Sequence, residues 1–274
     1  MQTLLVLSVL ARTSVMLLAP IAGIDASESF SVNPIEARAF DEADRSDWDT
    51  VFHDSCTADW KSRWFLDGEV GTIENEPEGM VLRAGPEFGN DAHHMVLWTR
   101  ESFEGDLKIE YTYTRLDEET RAVTILYIQA SGSGIGAHEE DIAAWSDLRR
   151  TPAMRAYYDN MHLYHISLAA FPNDADTTSY IRARRYVPDG RGIEGTGLVP
   201  DYYPNGLFET GVPHRVTVIK RDRDLYVRIE NASQAYYCHM RNADLPPVIS
   251  GRIGLRHMYT RTARYADFSI SYPR

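Results

Sequence analysis

From Val51 onward the sequence is a cadence of strand-length runs cut by turn formers, and hardly any of it repeats at helical spacing. VFHDSC gives way to VGTIENEPEGMVLRAG, which turns at residues 75–79. HHMVLWT and LKIEYTYTRL are parted by Glu104-Gly105-Asp106, and AVTILYIQAS stops at Gly132, Gly134 and Gly136. HRVTVIKRD and RDLYVRIEN meet across residues 221–224, and QAYYCHM, GRIGLRHMYT and ADFSISY end the chain. Successive strand side chains point to opposite faces, so each run must bury one face against something else. Many such runs with almost no helix predict an all-β sandwich of two antiparallel sheets. A length of 274 residues suits one domain of this kind, and no repeat or boundary divides residues 51–274. The exception is a short helical insertion near 137–156, where Ile142, Trp145, Leu148 and Met154 recur at roughly helical intervals until Pro152 interrupts them. It is expected to lid or flank a sheet.

Residues 3–22 are apolar, contain no acid and carry Arg12 as their one charge, with small residues at Ala19, Ala22, Gly23 and Ala26. This predicts a signal peptide over 1–26 and a periplasmic or secreted protein, with no membrane partner once the signal is removed. A retained anchor is the alternative, and the interruption at Arg12 speaks against it. Residues 27–50 are acidic and read as an N-terminal extension before the domain at 51–274. Export would permit a Cys56–Cys238 disulfide; two free buried thiols are the equal alternative. The net charge of −12 excludes nucleic acid and an anionic membrane surface as partners. It leaves an acidic ligand open, because arginines crowd two regions, 182–191 and 252–264.

Residues 157–187 concentrate the chemistry. Two strand-like runs flank Pro172-Asn173-Asp174-Ala175-Asp176, a turn-forming break. In the first run Tyr164, Ile166 and Leu168 share one face, while His165 and Ser167 share the other. In the second, Ile181 and Ala183 are apolar, with Tyr180, Arg182 and Arg184 opposite. Cross-strand partners share a face. A register placing His165 opposite Arg182 and Ser167 opposite Tyr180 therefore gathers His, Ser, Tyr and two Arg on one side of a sheet.

FHDS, MVLWT followed by FEGDLKIEY, YYDNMHLYHIS, SYIRARR, PHRVTVIK and GRIGLRHMYTRTARYADFSISY together resemble the YesU-like bacterial family, over about residues 51–272. That family was long carried as a domain of unknown function and is associated with polysaccharide utilisation. The resemblance implies a concanavalin A-like β-jelly roll. It also implies that structural Ca²⁺ could sit where first and last strands meet, which makes Asp54 and Asp267 the metal candidates. Ca²⁺ takes about 6–8 oxygen ligands, so two acids alone do not define such a site. No cofactor is required for cleavage of a glycan.

The sequence has no G-x-S-x-G, H-E-x-x-H, zinc-spaced cysteines or phosphate loop. The paired acids of laminarinase-like jelly rolls are missing too, and glycoside hydrolysis with retention needs two carboxylates about 5–5.5 Å apart. Glu110 and Glu209 are loose candidates for that role. Eliminative cleavage of a uronic-acid glycan asks instead for a base, a proton donor and groups that neutralise the sugar carboxylate. His165, Tyr180 and Arg182 are the catalytic candidates. Gln129, Arg184, Tyr127, His94, Trp98, Arg256 and His257 are the substrate-binding ones, and the loop 187–211 would wall the cleft. The leading expectation is a polysaccharide lyase acting on an acidic polysaccharide or oligosaccharide. A non-catalytic glycan-binding module, presenting aromatics such as Trp98, Tyr202 and Tyr203, is the alternative, with a glycoside hydrolase as a third reading.

Overall fold

A computed structural model describes residues 33–171, 179–203 and 206–274. The expected signal peptide, residues 27–32 of the extension and the turn at 172–176 lie outside the described residues. Strand-forming runs recur as the alternation predicts: β1 (Trp48–Asp54), β2 (Trp64–Asp67), β3 (Thr72–Glu76), β4 (Gly79–Arg83), β5 (Met95–Thr99), β6 (Phe103–Glu104), β7 (Leu107–Arg115) and β8 (Thr124–Gly132). They continue as β9 (Met161–Ala170), β10 (Tyr180–Tyr186), β11 (Pro213–Arg221), β12 (Asp224–Glu230), β13 (Ala235–Met240), β14 (Ser250–His257) and β15 (Thr262–Pro273). One sheet runs β13-β12-β11-β7-β15-β4-β3, with β1 also on β15. The other runs β10-β9-β8-β14-β5-β2, with β6 on β14. Every pairing is antiparallel, so the fold is the expected jelly-roll sandwich.

The core lies between the sheets. Leu126, Ile166 and Ile181 face Ile109, Val218 and Val227 there, each fully or almost fully buried. Burying such a side chain contributes roughly 1.5–3 kcal/mol. Phe52, Trp64 and Phe268 close one end edge-to-face, with ring centroids 5.1–6.3 Å apart. Cys56 and Cys238 are separate buried thiols, which settles their pairing in favour of free cysteines. Burial pushes the Cys56 thiol up to about 12 and holds the Cys238 thiol well above its ordinary value, so neither is a ready nucleophile.

The outward face of the seven-stranded sheet is also dry. Trp98, Tyr127 and Tyr186 form a second apolar cluster there with Ile142, Trp145 and Tyr157 of the insertion. The insertion consists of 3-10 turns over Ile142–Arg149 and helix α2 (Met154–Tyr158); for numbering, a helix near the N-terminus is α1 (Pro34–Ala43). Helix α1 lies within the expected N-terminal extension. Asn33 caps α1 by accepting from the Ile35 amide at 3.2 Å, Pro34 fits its first turn, and Phe40 and Ala43 bury against Ile219. Only two buried apolar positions mark that face, too few to stand out as a period. Among the described residues no helix is long and apolar enough to cross a membrane.

Candidate functional site

Strand register sets the site out in two parallel rows across one face of the seven-stranded sheet. The first row is Asp67, Val96, Arg256, Ile125, Ser167 and Arg182, each opposite the next on the neighbouring strand. The second is Phe65, Trp98, Gly254, Tyr127, His165 and Arg184. Directly opposed residues share a face, so both rows point to the side covered by the insertion. The hairpin register differs from the expected one by two residues. Arg184, not Arg182, faces His165, and Arg182 faces Ser167; a bulge then sets Tyr180 against Ala170. A two-residue slip keeps every side chain on its face, so alternation alone could not detect it.

The β9–β10 end of these rows opens into a cleft of ≈ 300 Å³. His165, Ser167, Tyr180, Arg182 and Arg184 supply its polar wall, and Met154, Ile193 and Met258 supply apolar surface. His165 is 4% exposed. Its Nδ1 lies 2.5 Å from the Tyr186 hydroxyl and its Nε2 lies 2.7 Å from Ser167 Oγ. Burial first, then the charges of Arg184, Arg256 and Arg182, hold its pKa well below the ordinary histidine value. The ring is therefore neutral, with one nitrogen donating and the other accepting. Burial keeps Tyr186 protonated as well. Tyr186, His165 and Ser167 thus form a wire that can run in either direction without any net charge.

Arg182 Nε donates to Asp201 at 2.8 Å, and its Nη2 donates to the Tyr203 hydroxyl. Its guanidinium lies 4.8 Å from the centre of the Tyr180 ring. The loop 187–211, expected to wall the cleft, supplies Asp201 and Ile193, and Thr196, which accepts from Arg184 Nη1 at a long 3.5 Å. Among the described residues Arg184 has no ion-pair partner, whereas Arg182 is neutralised by Asp201 at 2.7 Å.

The remaining binding candidates sit deeper or elsewhere. Trp98 is fully buried, stacked 5.4 Å from Tyr127, and its indole donates to Asp67 at 2.7 Å, so it is not a platform for a sugar. Gly254 beneath it is required, since a Cβ there would come within 2.4 Å of the indole. Tyr127 is buried edge-on to His165, with its hydroxyl 3.9 Å from Met154 Sδ. Gln129 does not share the face of Tyr127. The β8 bulge and a φ of +54° turn it inward, where its amide donates to the carbonyls of Gly105 and Phe103. His257 lies on the core face, 2.9 Å from the Tyr265 hydroxyl. His94 and Arg256 meet at 2.7 Å beneath the insertion; burial, helped by the arginine, drops His94 to about 3.

Two residues implied as calcium ligands do not fit that role. Asp54 already accepts from Trp64 Nε1 at 2.6 Å and from the Cys56 amide at 2.8 Å. Among the described residues no group of three or more His, Cys, Asp or Glu could hold a metal, so Asp54 and Asp267 have no third such ligand beside them. Glu110 lies on the eight-stranded sheet, tied to Arg215 at 3.0 Å, and Glu209 is exposed before β11. They do not form a carboxylate pair in the cleft.

Sequence reasoning overlooked Tyr186, although it continues the Arg182–Arg184 alternation by one step. It also missed Asp67, which is fully buried. Asp67 accepts from Arg149 Nε at 2.5 Å and Nη2 at 3.1 Å, from Trp98, and from the Tyr157 hydroxyl at 3.1 Å. Desolvation raises its pKa above the ordinary carboxylate value, and these four donors oppose that shift without cancelling it. No local pattern connects residues 82 positions apart.

The two antiparallel sheets packed face to face are of the galectin- and lectin-like jelly-roll class of fold. The chain belongs to the family described as a domain of unknown function, DUF1961, whose pattern matches residues 55–270. It is similar to a Bacillus subtilis protein of unknown function with a galectin-like fold, at 18% identity and a TM-score of 0.61, covering 83% of this chain and 100% of that one. It is also similar to basic winged bean lectin with Tn-antigen, at 10% identity and a TM-score of 0.50, covering 81% of this chain and 98% of that one. At these identities the likeness is one of fold. No curated protein matches the sequence.

Proposed function

We propose that this protein binds glycans, that the β9–β10 cleft takes the sugar, and that an acidic sugar is preferred. The observation carrying this reading is the composition of the cleft: Arg184 without an acid partner among the described residues, neutral His165 and hydroxyl groups on one side, Met154, Ile193 and Met258 on the other. A pyranose is itself amphipathic, with hydroxyls at its edge and C–H groups on its faces, and a site of few polar groups among apolar ones suits it. The shared fold of a lectin whose structure holds Tn-antigen supports the saccharide class. Export and a place in polysaccharide utilisation belong to the same reading.

Cleavage by β-elimination is the rival, because His165, Tyr180 and Arg182 do share the cleft. Two features weigh against it. Both imidazole nitrogens of His165 are engaged by protein groups, and Asp201 already neutralises Arg182. The test is calorimetric titration of the full chain with uronic-acid and neutral oligosaccharides, alongside absorbance near 235 nm. Saturable heat that Arg184→Ala weakens, with no rise in absorbance, supports binding. A rise abolished by His165→Ala would establish the lyase instead. No heat with any saccharide would overturn the glycan reading.

A further inference from the structure

Arg256 is an anomaly in the buried half of the site. Its residue is 0% exposed, and its Nη2 is committed to His94 and to the Pro152 carbonyl, each at 2.7 Å. Nε and Nη1 are buried and make no hydrogen bond of good geometry among the described residues; the guanidinium approaches the Tyr127 hydroxyl, and the Tyr157 ring centre lies 4.7 Å away. Among the described residues it forms no ion pair. Of the other deeply buried arginines, Arg149 has Asp67 at 2.5 Å and Arg261 has Asp117 at 3.1 Å, while Arg185, also without an acid partner among the described residues, donates to the carbonyls of Pro246 and Tyr186. A buried cation without a counter-ion is strongly unfavourable, so a fold keeps one chiefly where an anion can reach it.

The register shows the path. Arg256 and Ser167 stand in one row, separated only by Ile125 on β8. Two strand spacings put them about 9–10 Å apart along the sheet. Met154 lines the cleft, and its Sδ lies 3.9 Å from the hydroxyl of Tyr127, the residue beside which the guanidinium sits. Methionine is unbranched, with three rotatable bonds, and it is the side chain best able to swing aside. Pro152, whose carbonyl Arg256 holds, lies two residues before it, so the same segment carries both plug and tether.

We infer that the cleft continues behind Met154 to Arg256, and that Arg256 receives the anionic substituent of the bound sugar, a carboxylate or a sulfate ester, through one of its remaining donors, Nε or Nη1. This rests on the glycan reading above and makes it more specific. Nε–H and Nη1 face opposite edges of the guanidinium, and the Nη2 that would complete a fork with either is held by His94 and Pro152, so the anion takes a single charged hydrogen bond from Arg256. Tyr127 would add a hydroxyl donor, released from Met154. Arg184, at the mouth, then attracts the anion, and Arg256 fixes it.

The experiment measures binding of D-glucuronate, D-glucose 6-sulfate and D-glucose to the full chain by calorimetry, in the wild type, Arg256→Gln, Arg256→Lys and Met154→Ala. Glucuronate, the sulfate ester or both should bind more tightly than glucose, and that difference should vanish in Arg256→Gln and partly return in Arg256→Lys. Which anion gains identifies the substituent. Removing the plug should raise the ratio of apparent affinity for that anion to that for glucose about threefold or more, because less of the protein is held closed to the anion. Met154→Ala keeps the test decisive should Arg256→Gln fail to fold, and no gain in that variant would overturn the inference. So would an anion preference that survives Arg256→Gln, or equal affinity for glucose; in both cases glycan binding itself would stand. Arg256-dependent binding of these anions together with no binding of any oligosaccharide would keep the anion site and overturn the glycan reading. No binding of any compound would overturn both.

Discussion

Nδ1 of His165 lies 2.5 Å from the hydroxyl of Tyr186, on a strand whose register puts Arg184 directly opposite the histidine. A neutral hydrogen-bond wire is thereby held among cations. Burial and the three arginines keep the proton off the ring. The expected outcome is that His165 stays neutral throughout the physiological range. Imidazole nitrogen shifts measured by NMR should keep the neutral pattern from pH 8 down to about pH 5, well past the ordinary midpoint near 6.5. A midpoint near 6.5 would mean that the ring is solvated.

Tyr186→Phe removes the partner and keeps the ring. It should cost about 1–3 kcal/mol, because Nδ1 is then buried without a partner. Urea melts would read this directly. A loss of sugar affinity with little loss of stability would instead show that the wire, rather than packing, matters to the ligand.

Acid should destabilise the protein earlier than its carboxylates alone require. His94 and His257 are depressed to about 3 and about 4, and His165 is depressed as well, burial being the main cause for each. In the unfolded chain these rings take up protons near pH 6.5. Between that value and the folded ones the unfolded state binds more protons, so stability is complete above about pH 6.5 and falls as pH is lowered. Each ring contributes a slope of about 1.4 kcal/mol per pH unit across its window. Urea denaturation at pH 7, 6 and 5 checks this, and equal midpoints at all three would refute it.

The parts legible in the sequence are those that alternation encodes. β7, β8, β9, β11 and β12 fall where the two-residue period places them, and the outward His165, Ser167, Arg182 and Arg184 share one face as expected. What was not legible depends on pairing distance and on bulges. The two-residue slip of β10 leaves the period unchanged, and the turn of Gln129 arises from a bulge that no local residue announces. The burial of Trp98 and Arg256 depends on an insertion whose contacts lie tens of residues away. An aromatic or arginine on the outward face of a sheet reads as exposed until something covers it.

The close approach of Trp98 to β14 gives a sharp test of that second layer. Gly254→Ala would place a Cβ 2.4–2.5 Å from the indole carbons, and the ring cannot retreat while Asp67 holds its nitrogen. The substitution should cost about 2–3 kcal/mol as overpacking. In a Trp98→Leu background the same change should cost much less. Similar costs in both backgrounds, read from chemical denaturation, would locate the strain in the backbone rather than in the ring.

The covering layer itself hangs on Asp67 and Arg149. Arg149 ties the sheet to the insertion, since its other nitrogens donate to the carbonyls of Trp145 at 3.2 Å and Ile142 at 2.9 Å. Both members of the pair are inaccessible to solvent. Asp67→Ala leaves the guanidinium buried without a counter-charge and should cost about 3–5 kcal/mol. Asp67→Ala combined with Arg149→Met removes both charges and should recover much of that loss. Hydrogen exchange gives the functional half of the answer. If the pair fastens the insertion, amides of residues 142–158 should exchange faster in Asp67→Ala while those of β11 and β12 keep their relative protection. Because Met154 lies on the loosened segment, ligands that must pass it should bind sooner in that variant. Uniform loss of protection over the whole sandwich would show instead that the second layer and the core unfold as one unit.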